Sequence, residues 1–475
     1  MTIDQILLMR HELMLVAVGV IVLIMDLMTS AETKHRIIPV AIVLFLVNTI
    51  IGFLPIETGK IFGGMYNTDD ITILMKNAMN IGVFIIFLQS AEWLRRHEDR
   101  FNSHGAYFFI IVASLAGMDY LISSGDFLMF FIGTELATIP IAALVAIEKA
   151  RSKSAEAGVK LILSAALSSG ITLFGISLIY GTTGSIYFAE VSKAFGNNSL
   201  QILAFIFIFA GVAFKISIVP FHLWTADVYE GAPISITSYL SVISKASAIF
   251  ILVILLYKVF YAIPDIRNNI LYATSVLTMT IGNLFAIRQQ NMKRFLAFSS
   301  IAQAGFVFLG IIGGTQIGFA AVVYFLLIYV FSNLGAFGVV AAISCATGKE
   351  NMDDYNGLYK NNPKMSLVMM LSLFSLAGIP PVAGFFGKFF LFTSAAKEGY
   401  FILVLIAVVN VTISLYYYLL VIKAMFINEQ ENPIERIDND IYTKLGLAIC
   451  AAGILAIGFF GSIFDFINSK TFGAM

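Results

Sequence analysis

Long apolar stretches separated by short polar segments follow one another from one end of the chain to the other. A helix needs about 20 apolar residues to cross the hydrocarbon core of a bilayer, and these stretches have that length. The pattern therefore predicts an all-α polytopic membrane protein. Its fourteen predicted membrane-spanning helices, spans 1 to 14, cover residues 12–29, 37–56, 71–92, 105–122, 125–147, 154–180, 199–222, 234–260, 268–287, 293–313, 317–345, 364–395, 399–426 and 441–466.

The lysines and arginines between the spans are unevenly distributed. The loops on one side, called the basic face, carry fifteen of them, and the opposite face, which holds both termini, carries six. Cytoplasmic loops are enriched in basic residues, so the basic face is predicted to be cytoplasmic and both termini to lie outside. The fifteen are Lys34, Arg36, Arg95, Arg96, Arg100, Lys149, Arg151, Lys153, Arg288, Lys293, Arg294, Lys349, Lys360, Lys364 and Arg436, and the six are Arg10, Lys60, Lys193, Arg267, Lys397 and Lys470.

Composition narrows the classes of function. Hydrophobic residues make up 59% of the 475 residues, charged residues make up 12%, and the mean hydropathy is +0.90. Soluble domains carry about 25% charged residues, so a large soluble enzyme is excluded. The net charge is zero, and no basic tract suits nucleic acid. The sequence has no glycine-rich nucleotide-binding loop and no HExxH zinc-binding helix, and its two cysteines lack metal-ligand spacing. No cofactor is therefore predicted in this chain.

Several charged residues lie inside the predicted spans. Each lysine at the centre of a membrane helix costs about 2.5–3.5 kcal/mol on insertion scales, unless it faces a hydrated interior, meets a carboxylate or loses its proton. Burial and a neighbouring carboxylate act in opposite directions on the proton affinity of a lysine. A lysine under both influences can take up and release a proton. The residues concerned are Asp26, Lys76, Glu135, Lys160, Lys215, Lys245 and Lys388.

Two polar stripes carry lysines along one face of a predicted helix. Serine and threonine alone are common packing residues in membrane helices, and packing is the favoured interpretation for the hydroxyls by themselves. A lysine in each stripe favours a hydrated path instead. The stripes are Lys160, Ser164, Ser168 and Thr172 in span 6, and Ser238, Ser241 and Lys245 in span 8.

Prolines accompany three of the intramembrane charges and predict helix interruptions. A proline removes a backbone hydrogen bond, and broken membrane helices line cavities or ion paths. One such kink also fits simple packing, but three kinks beside charges favour an ion path. The prolines are Pro140 after Glu135, Pro220 after Lys215, and Pro380 with Pro381 before Lys388. The predicted architecture therefore has broken seventh and twelfth helices.

The arrangement of charges and prolines predicts an internal repeat. Spans 4–8 and spans 9–13 form two five-helix units, and an odd number of spans inverts the second unit, as in transporters. The predicted domains are an N-terminal three-helix segment (1–104), a first five-helix repeat (105–260), a second inverted five-helix repeat (268–426) and a C-terminal loop with the last helix (427–475).

Three segments of the chain carry a family resemblance: FKISIVPFHLWTADVYEGAPISITSYLSVISKASA (214–248), KRFLAFSSIAQAGF (293–306) and LAGIPPVAGFFGKFF (376–390). They resemble the antiporter-like membrane subunits of respiratory complex I and related cation/proton antiporters. DVYEGAP (227–233) resembles the N subunits of bacterial NADH–quinone oxidoreductases, because the L and M subunits usually carry a sequence similar to HVEAPT there. The resemblance covers nearly the whole chain.

The resemblance implies roles for the residues that match the family's charged positions. Glu135 matches the span 5 glutamate that pairs with the span 7 lysine, which is Lys215. Lys245 matches the central lysine of the hydrophilic axis in span 8. Lys388 matches the span 12 lysine that passes protons outward or to the next unit. Lys160 resembles an additional axis lysine in span 6.

The remaining polar positions have weaker assignments. Spacing alone favours a structural role for His222, but it falls on a family histidine, so the resemblance favours a relay or gate. Some members have a histidine where this chain has Gln303, and glutamine cannot titrate, so no relay role is predicted there. Lys76 and Asp26 match no motif and stay outside the predicted axis.

The resemblance implies a proton-translocating membrane subunit of a complex I-type NADH–quinone oxidoreductase, which couples quinone reduction to proton pumping. NADH, FMN, iron–sulfur clusters and quinone are expected in other subunits. The expected partners are neighbouring antiporter-like subunits, small K- and J-type subunits and the lipid bilayer. The expected location is the bacterial inner membrane, with both termini periplasmic.

Three alternatives remain open on the sequence. A subunit of an Mrp-type cation/proton antiporter would share the Glu–Lys pair but should lack DVYEGAP. A scaffold subunit would use its lysines only for structural pairing. A polytopic membrane enzyme needs catalytic carboxylates in loops, and the longest loops (181–198, 348–363 and 427–440) contain no clear constellation.

Overall fold

The computed structural model describes residues 3–97, 103–148 and 150–471, and most of these residues are helical. Thirteen continuous helices in these ranges are long and apolar enough to cross a membrane. The twelfth predicted span completes the fourteen as two shorter helices. The predicted multi-pass helical membrane fold is therefore confirmed. Two cations counted on the basic face, Arg100 and Lys149, lie outside the described residues.

The spans have well-defined limits. They are Arg10–Met28, Ile37–Gly52, Asp70–Arg96, His104–Ile122, Phe127–Val145, Ser152–Thr183, the pair Ser199–Ile216 and Leu223–Gly231, Ile234–Val259, Pro264–Ile287, Met292–Ile312, Gln316–Thr347, the pair Pro363–Ala377 and Ala383–Lys397, Phe401–Phe426 and Ile441–Phe459. Short helices connect or flank them at Ile3–Leu7, Ala31–Arg36, Phe62–Gly64, Phe188–Ala194, Met352–Tyr355, Leu358–Asn361 and Ser462–Thr471.

Two features at the face opposite the basic face were not predicted. A small antiparallel hairpin pairs Gly59–Ile61 with Tyr66–Thr68 between spans 2 and 3. Span 14 ends at Phe459, before the predicted limit at 466, and a separate helix, Ser462–Thr471, follows. Lys470 of this last helix pairs with Asp70 at the start of span 3 at 2.8 Å.

The spans divide into a central and a peripheral set. The apolar stretch of span 8 is 94% buried inside the molecule, that of span 10 is 100% buried, and that of span 11 is 89% buried. The corresponding stretch of span 6 is only 22% buried. Polar groups on the central spans therefore face protein and not lipid. This burial identifies spans 8, 10 and 11 as the interior in which a polar path would have to lie.

Both predicted helix breaks are confirmed, and both have the same construction. The first half of span 7 ends at Ile216, with Ser217 left-handed (φ 66°), and the first half of span 12 ends at Ala377, with Gly378 left-handed (φ 86°). The amide of Ile218 donates to the Ala213 carbonyl at 2.9 Å, and the amide of Ile379 donates to the Phe374 carbonyl at 3.0 Å. This six-to-one hydrogen bond with a left-handed residue is the Schellman motif that ends helices.

Candidate functional site

Lys215 lies in the last turn of the first half of span 7, and its side chain crosses to span 5. The ammonium group donates hydrogen bonds to the Thr134 carbonyl at 2.8 Å and to the Thr138 hydroxyl. Among the described residues no carboxylate forms an ion pair with Lys215, and Glu135 acts on it electrostatically from a longer distance. The lysine is therefore held by neutral acceptors on the two turns that flank Glu135.

Glu135 is half-buried and has a different partner. Its carboxylate accepts a hydrogen bond from the hydroxyl of Ser169 in span 6. The predicted interruption of span 5 is wrong, since the helix Phe127–Val145 continues through Pro140. A proline lacks one amide donor, and the neighbouring helical hydrogen bonds hold this helix together across that gap. Glu135 thus lies on the continuous helix of span 5, and Lys215 lies on the broken helix of span 7. The two side chains bind other partners and form no hydrogen bond with each other.

A small cavity with a mainly apolar lining and a few hydroxyl groups adjoins Lys215. Its volume is about 20 Å³, and it lies between spans 5, 6, 7 and 8. Such a volume is enough for one water molecule where polar groups surround it. Thr138, Ser169 and Lys215 line it on one side, and Ala248 lines it on the side of span 8. Ala248 is one turn beyond Lys245 on span 8. The cavity therefore reaches from Lys215 to the helix that carries Lys245.

Lys245 lies in the buried centre of span 8. It is 2% exposed, and its ammonium group donates to the Ser300 hydroxyl of span 10 at 2.7 Å. The ammonium also lies 5.7 Å from the ring centroid of Tyr229. A π-helical turn, Leu240–Ser244, directly precedes Lys245. Such turns are frequent at functional sites in helices.

Hydroxyl and amide groups surround the turn that precedes Lys245. The Asn333 amide of span 11 donates to the Ser241 hydroxyl at 2.6 Å and to the Tyr329 hydroxyl at 2.9 Å. The Ser241 and Tyr329 hydroxyls are 3.3 Å apart. Ser241 was predicted as part of a polar stripe, whereas its partners on span 11 were not. The predicted partner on the same stripe, Ser238, bonds only to the Ile234 carbonyl of its own helix among the contacts described.

Lys388 lies in the second half of span 12 and turns back to the first half. Its ammonium group donates to the carbonyls of Leu376 at 2.7 Å and Ala377 at 3.1 Å. These are the last carbonyls of the helix that ends at the break, where the negative end of the helix dipole lies. Lys388 is 4% exposed and stands 4.8 Å from the ring centroid of Phe306.

Gln303 links the surroundings of Lys245 to those of Lys388. It lies one turn beyond Ser300 on span 10, and its amide donates to the Leu376 carbonyl at 2.8 Å. Lys388 uses the same carbonyl. The amide also lies 3.2 Å from the Tyr418 hydroxyl of span 13. The prediction left Gln303 outside the axis because glutamine cannot titrate.

His222 lies between the two halves of span 7, directly before the helix that resumes at Leu223. It is 9% exposed, and its Nδ1 atom has no hydrogen-bond partner among the described residues. The nearby Trp224 donates its indole N–H to the Phe214 carbonyl at 3.2 Å, which ties the second half of the span to the first. The His222 imidazole thus lies at the break, and its Nδ1 atom is free of hydrogen bonds to the described residues.

Lys160 lies apart from the contacts that join Lys245 to Lys388. Its side chain is 40% exposed at the basic face, where it pairs with Asp227 and Glu156, each at 2.6 Å. The other members of its stripe pack span 6 against span 7, since Ser168 donates to the Gly211 carbonyl at 3.2 Å. Ser168 and Thr172 also line the small cavity beside Lys215, so these hydroxyls both pack against span 7 and border the candidate site. Ser169, which lies beside the stripe, is the residue that contacts Glu135.

The DVYEGAP and KRFLAFSS segments meet at the basic face. Arg294 pairs with Asp227 at 2.7 Å and with Glu230 at 2.9 Å, and Lys153 pairs with Glu230 at 2.8 Å. Tyr229, on the same short helix as both carboxylates, faces Lys245. Ion pairs therefore anchor one side of the helix Leu223–Gly231 at the basic face. On its other side, the ring of Tyr229 faces Lys245 in the lysine axis.

A larger cavity opens at the basic face beside this motif. Its volume is about 610 Å³, and Lys293, Glu350 and Ser235 are among the residues that line it. Lys293 is 1% exposed and pairs with Glu350 at 3.2 Å. Ser235 lies at the start of span 8 and accepts a hydrogen bond from the buried Tyr107 at 2.8 Å. The cavity therefore reaches polar groups on the helix that carries Lys245.

Within the described ranges, no cluster of three or more histidine, cysteine, aspartate or glutamate side chains could hold a metal ion. The candidate site is instead a line of lysines, hydroxyls and amides. Its long-range members, such as Ser169, Ser300 and Tyr418, carry no stronger sequence signal than a hydroxyl in an apolar helix. Their positions follow only from how the spans pack.

Comparisons with known proteins match nearly the whole chain. Residues 124–414 match the family model described as NADH:quinone oxidoreductase/Mrp antiporter, transmembrane. The chain is 47% identical over 469 residues to NADH-quinone oxidoreductase subunit N of Phocaeicola vulgatus, covering 98% of this chain and 99% of that protein.

Solved structures share the fold. A chain of respiratory complex I from Thermus thermophilus with bound aureothin matches with a TM-score of 0.80 and 26% identity, covering 96% of this chain and 98% of that one. A chain of the Mrp complex from Dietzia sp. matches with a TM-score of 0.85 and 20% identity, covering 99% of this chain and 97% of that one. At 20% identity the second likeness concerns the fold alone.

Proposed function

The chain belongs to the NADH:quinone oxidoreductase/Mrp antiporter family of membrane subunits, and we propose that it is a proton-translocating membrane subunit of a complex I-type NADH–quinone oxidoreductase. The observation that carries the proposal is the contact series from Lys245 through Ser300 and Gln303 to Lys388. It joins the buried spans 8 and 10 to the second half of span 12, and no carboxylate among the described residues neutralises these two lysines.

We take Glu135 and Lys215 as the pair that controls the proton at the start of the axis. An approaching carboxylate strengthens the hold of an ammonium group on its proton, and its withdrawal weakens that hold. Ser169 holds Glu135, while Thr134 and Thr138 hold Lys215, so each group has a stable position without the other. Movement of Glu135 between Ser169 and Lys215 would then load and unload the lysine.

The next step passes the proton from Lys215 to Lys245. The cavity of about 20 Å³ beside Lys215 borders span 8 and has room for one water molecule. From Lys245 the hydroxyl of Ser300 leads to Gln303, which cannot itself titrate but orders the Leu376 carbonyl that Lys388 also binds. Lys388 is the acceptor at the end of the series.

His222 and Lys160 have secondary roles in this proposal. The unused Nδ1 atom of His222 lies at the break in span 7, where a gate between Lys215 and the basic face would act. Lys160 is assigned to anchoring through Asp227, not to proton transfer through the membrane. The two five-helix repeats, 105–260 and 268–426, remain part of the proposal and are supported by the matching construction of the two breaks.

The proposed setting follows from the relatives. A chain of this family would lie beside other antiporter-like and small membrane subunits, with NADH, FMN, iron–sulfur clusters and quinone bound by other subunits. The proposed location is the bacterial inner membrane, with the basic face cytoplasmic and both termini periplasmic.

Replacement of Lys215 tests the proposal directly. In the reconstituted complex, Lys215→Ala should lower proton pumping and the coupled quinone reduction at least about tenfold, equivalent to ~1.4 kcal/mol in the barrier. Assembly on native gels should stay normal. Lys193→Ala, a lysine on the exposed helix Phe188–Ala194, is the matched control and should pump like the parent. Full pumping by Lys215→Ala would overturn the assignment, and lost assembly would favour a scaffold role.

The second candidate is a cation/proton antiporter subunit, because the description of the matching family model includes Mrp antiporters. It predicts sodium-dependent proton movement in vesicles without an electron donor. The proposed function predicts that proton movement requires NADH or another electron donor together with quinone. Measuring pH changes in vesicles with and without donor, at two sodium concentrations, separates the two.

A further inference from the structure

A second group of buried charges lies apart from the lysine axis, between spans 1, 3 and 4. The Lys76 ammonium donates to Glu12 at 2.6 Å and to the Tyr66 hydroxyl at 2.8 Å, and Tyr66 donates to Glu12 at 2.9 Å. All three side chains are at most 1% exposed. The sequence left Lys76 without a role and did not single out its two partners.

Asp119 of span 4 is the exceptional member of this group. It is fully buried, and neither carboxyl oxygen has a hydrogen-bond donor in the described part of the chain. The charged groups that act on it are Lys76 and Glu12, which already neutralise each other. An isolated ionised carboxylate in apolar surroundings is very costly, and binding a proton removes that cost. The geometry therefore leaves a place for one proton on Asp119.

The other titratable or charged groups around the cluster come from three elements. They are Arg10 and His11 of span 1, Tyr120 of span 4 and Tyr239 of span 8. Arg10 is bound by backbone carbonyls at the end of span 2, including Leu54 at 2.7 Å, and His11 is bound to Asn77 at 3.1 Å. With these two satisfied by neutral partners, Asp119 remains the carboxyl group without a partner.

The cluster borders water on the face opposite the basic face. Thr68 interacts with the Tyr66 hydroxyl and lines a cavity of about 790 Å³ on that face. Thr72, one turn before Lys76 on span 3, lines the same cavity. Tyr66 belongs to the hairpin outside the spans, and burial raises its pKa to about 12. Its phenol therefore keeps its proton and can donate between Glu12 and the cavity side.

The cluster also approaches the lysine axis. The Tyr239 hydroxyl of span 8 donates to the Met118 sulfur at 3.7 Å, one residue before Asp119 and one turn beyond Ser114. Ser114 donates to the Ala137 carbonyl of span 5 at 2.6 Å, two residues beyond Glu135. The hydroxyls of Tyr239 and Ser114 thus stand between Asp119 and the helix that carries Glu135.

We propose that Glu12, Tyr66, Lys76 and Asp119 form a proton-exchange site through which this subunit passes a proton between its axis and the cavity on the face opposite the basic face. The ligand of the site is a proton, and Asp119 is its acceptor. This inference rests on the proposed function for its place in transport, but protonation of Asp119 can be measured without pumping.

Difference infrared spectroscopy on the purified, reconstituted complex tests the site. Subtracting the spectrum of Asp119→Asn from that of the parent should leave a carbonyl band of a protonated carboxylic acid, shifted to lower wavenumber in D₂O. Raising the pH only on the face opposite the basic face should remove the band, and raising it only on the basic face should not. Absence of the band, or a band that ignores the pH on the opposite face, would overturn the proposal.

Asp26→Asn is the matched control. Asp26 is a buried carboxylate of span 1 near the basic face, and it accepts hydrogen bonds from Ser103 at 2.5 Å and from the Gly105 amide at 3.2 Å. Both of its oxygens therefore have donors, the Lys34 ammonium lies 3.8 Å from one of them, and its variant should leave the protonated-acid band unchanged.

A second variant keeps the test valid if Asp119→Asn does not assemble. Tyr66→Phe removes the hydroxyl between Glu12, Lys76 and Thr68, and should keep the band while weakening its response to pH on the opposite face. An unchanged response would contradict the site. If Lys215→Ala pumps fully while the Asp119 band still titrates, the proposed function fails and the proton site remains.

Discussion

The two broken helices, span 7 and span 12, end their first halves with the same Schellman motif but hold their lysines in opposite ways. Lys215 lies before its break and reaches a neighbouring helix, where Thr134 and Thr138 bind it. Lys388 lies after its break and turns back to its own first half, where it binds the exposed carbonyls of Leu376 and Ala377.

This difference separates a lysine whose contacts can be exchanged from one that completes a helix end. The Thr134 carbonyl has another donor, the Thr138 hydroxyl at 2.8 Å. The Ala377 carbonyl has Lys388 as its described side-chain donor and lies in the last turn of its helix, where backbone donors are missing. Lys388 should therefore matter for stability as well as for proton transfer, whereas Lys215 should matter mainly for transfer.

The largest expected effect comes from Lys388→Met. Loss of the ammonium group leaves the Ala377 carbonyl buried without a donor, which costs about 1–3 kcal/mol. The variant should lower the thermal unfolding midpoint of the purified complex and also stop pumping. Lys215→Met is the matched control and should stop pumping with a much smaller change in midpoint. Equal changes in midpoint would refute the distinction between the two lysines.

A smaller effect is expected from Gln303, which joins the two regions. Gln303→Leu removes the amide that donates to Leu376 and Tyr418, and a lost hydrogen bond of about 0.5–1.5 kcal/mol should slow pumping roughly three- to tenfold. Gln303→His retains a polar link and should stay within about twofold of the parent. Parental rates in the leucine variant, measured by proton uptake in vesicles, would remove Gln303 from the path.

The smallest effect on pumping is expected from exchanging the residues that end the two helices, where the change concerns stability. Gly378→Ser places a side chain at φ 86°, with its Cβ 3.1 Å from Lys388 Cδ, and should destabilise by about 1–2 kcal/mol. Ser217→Gly relieves a left-handed serine at φ 66° and should stabilise by less than about 1 kcal/mol, because glycine also loses more entropy on folding. Unfolding midpoints that move in the same direction would contradict this interpretation of the caps.

The sequence predicted the breaks because prolines leave a clear local signal. Pro220 and the pair Pro380–Pro381 lack the amides that a continuing helix needs, and both breaks occur beside them. Pro140 carries the same signal, yet its helix continues. Whether a proline ends a helix depends on the tertiary contacts of the following residues, and these cannot be read from one segment.

The positions of the lysines also depend on tertiary contacts that cannot be read from one segment. The polar stripe and the family resemblance placed Lys160 in the axis, but neither shows how deep in the membrane a residue of span 6 lies. The helix has 32 residues, which extend roughly 48 Å at 1.5 Å per residue and exceed a hydrocarbon core of about 30 Å. Lys160 therefore lies near the basic face. Its partner Asp227 and the partner of Lys76, Glu12, are distant in sequence, so neither pair had a local signal.

The short helix Leu223–Gly231 has one further consequence. Four ion pairs join its two carboxylates to Lys153, Lys160 and Arg294 at the rim of the basic face, while its Tyr229 stands over Lys245. The screening length in water falls from about 10 Å at 0.1 M salt to about 3 Å at 1 M. We therefore expect ionic strength at the basic face to act on the position of an aromatic ring inside the protein, through a helix of nine residues.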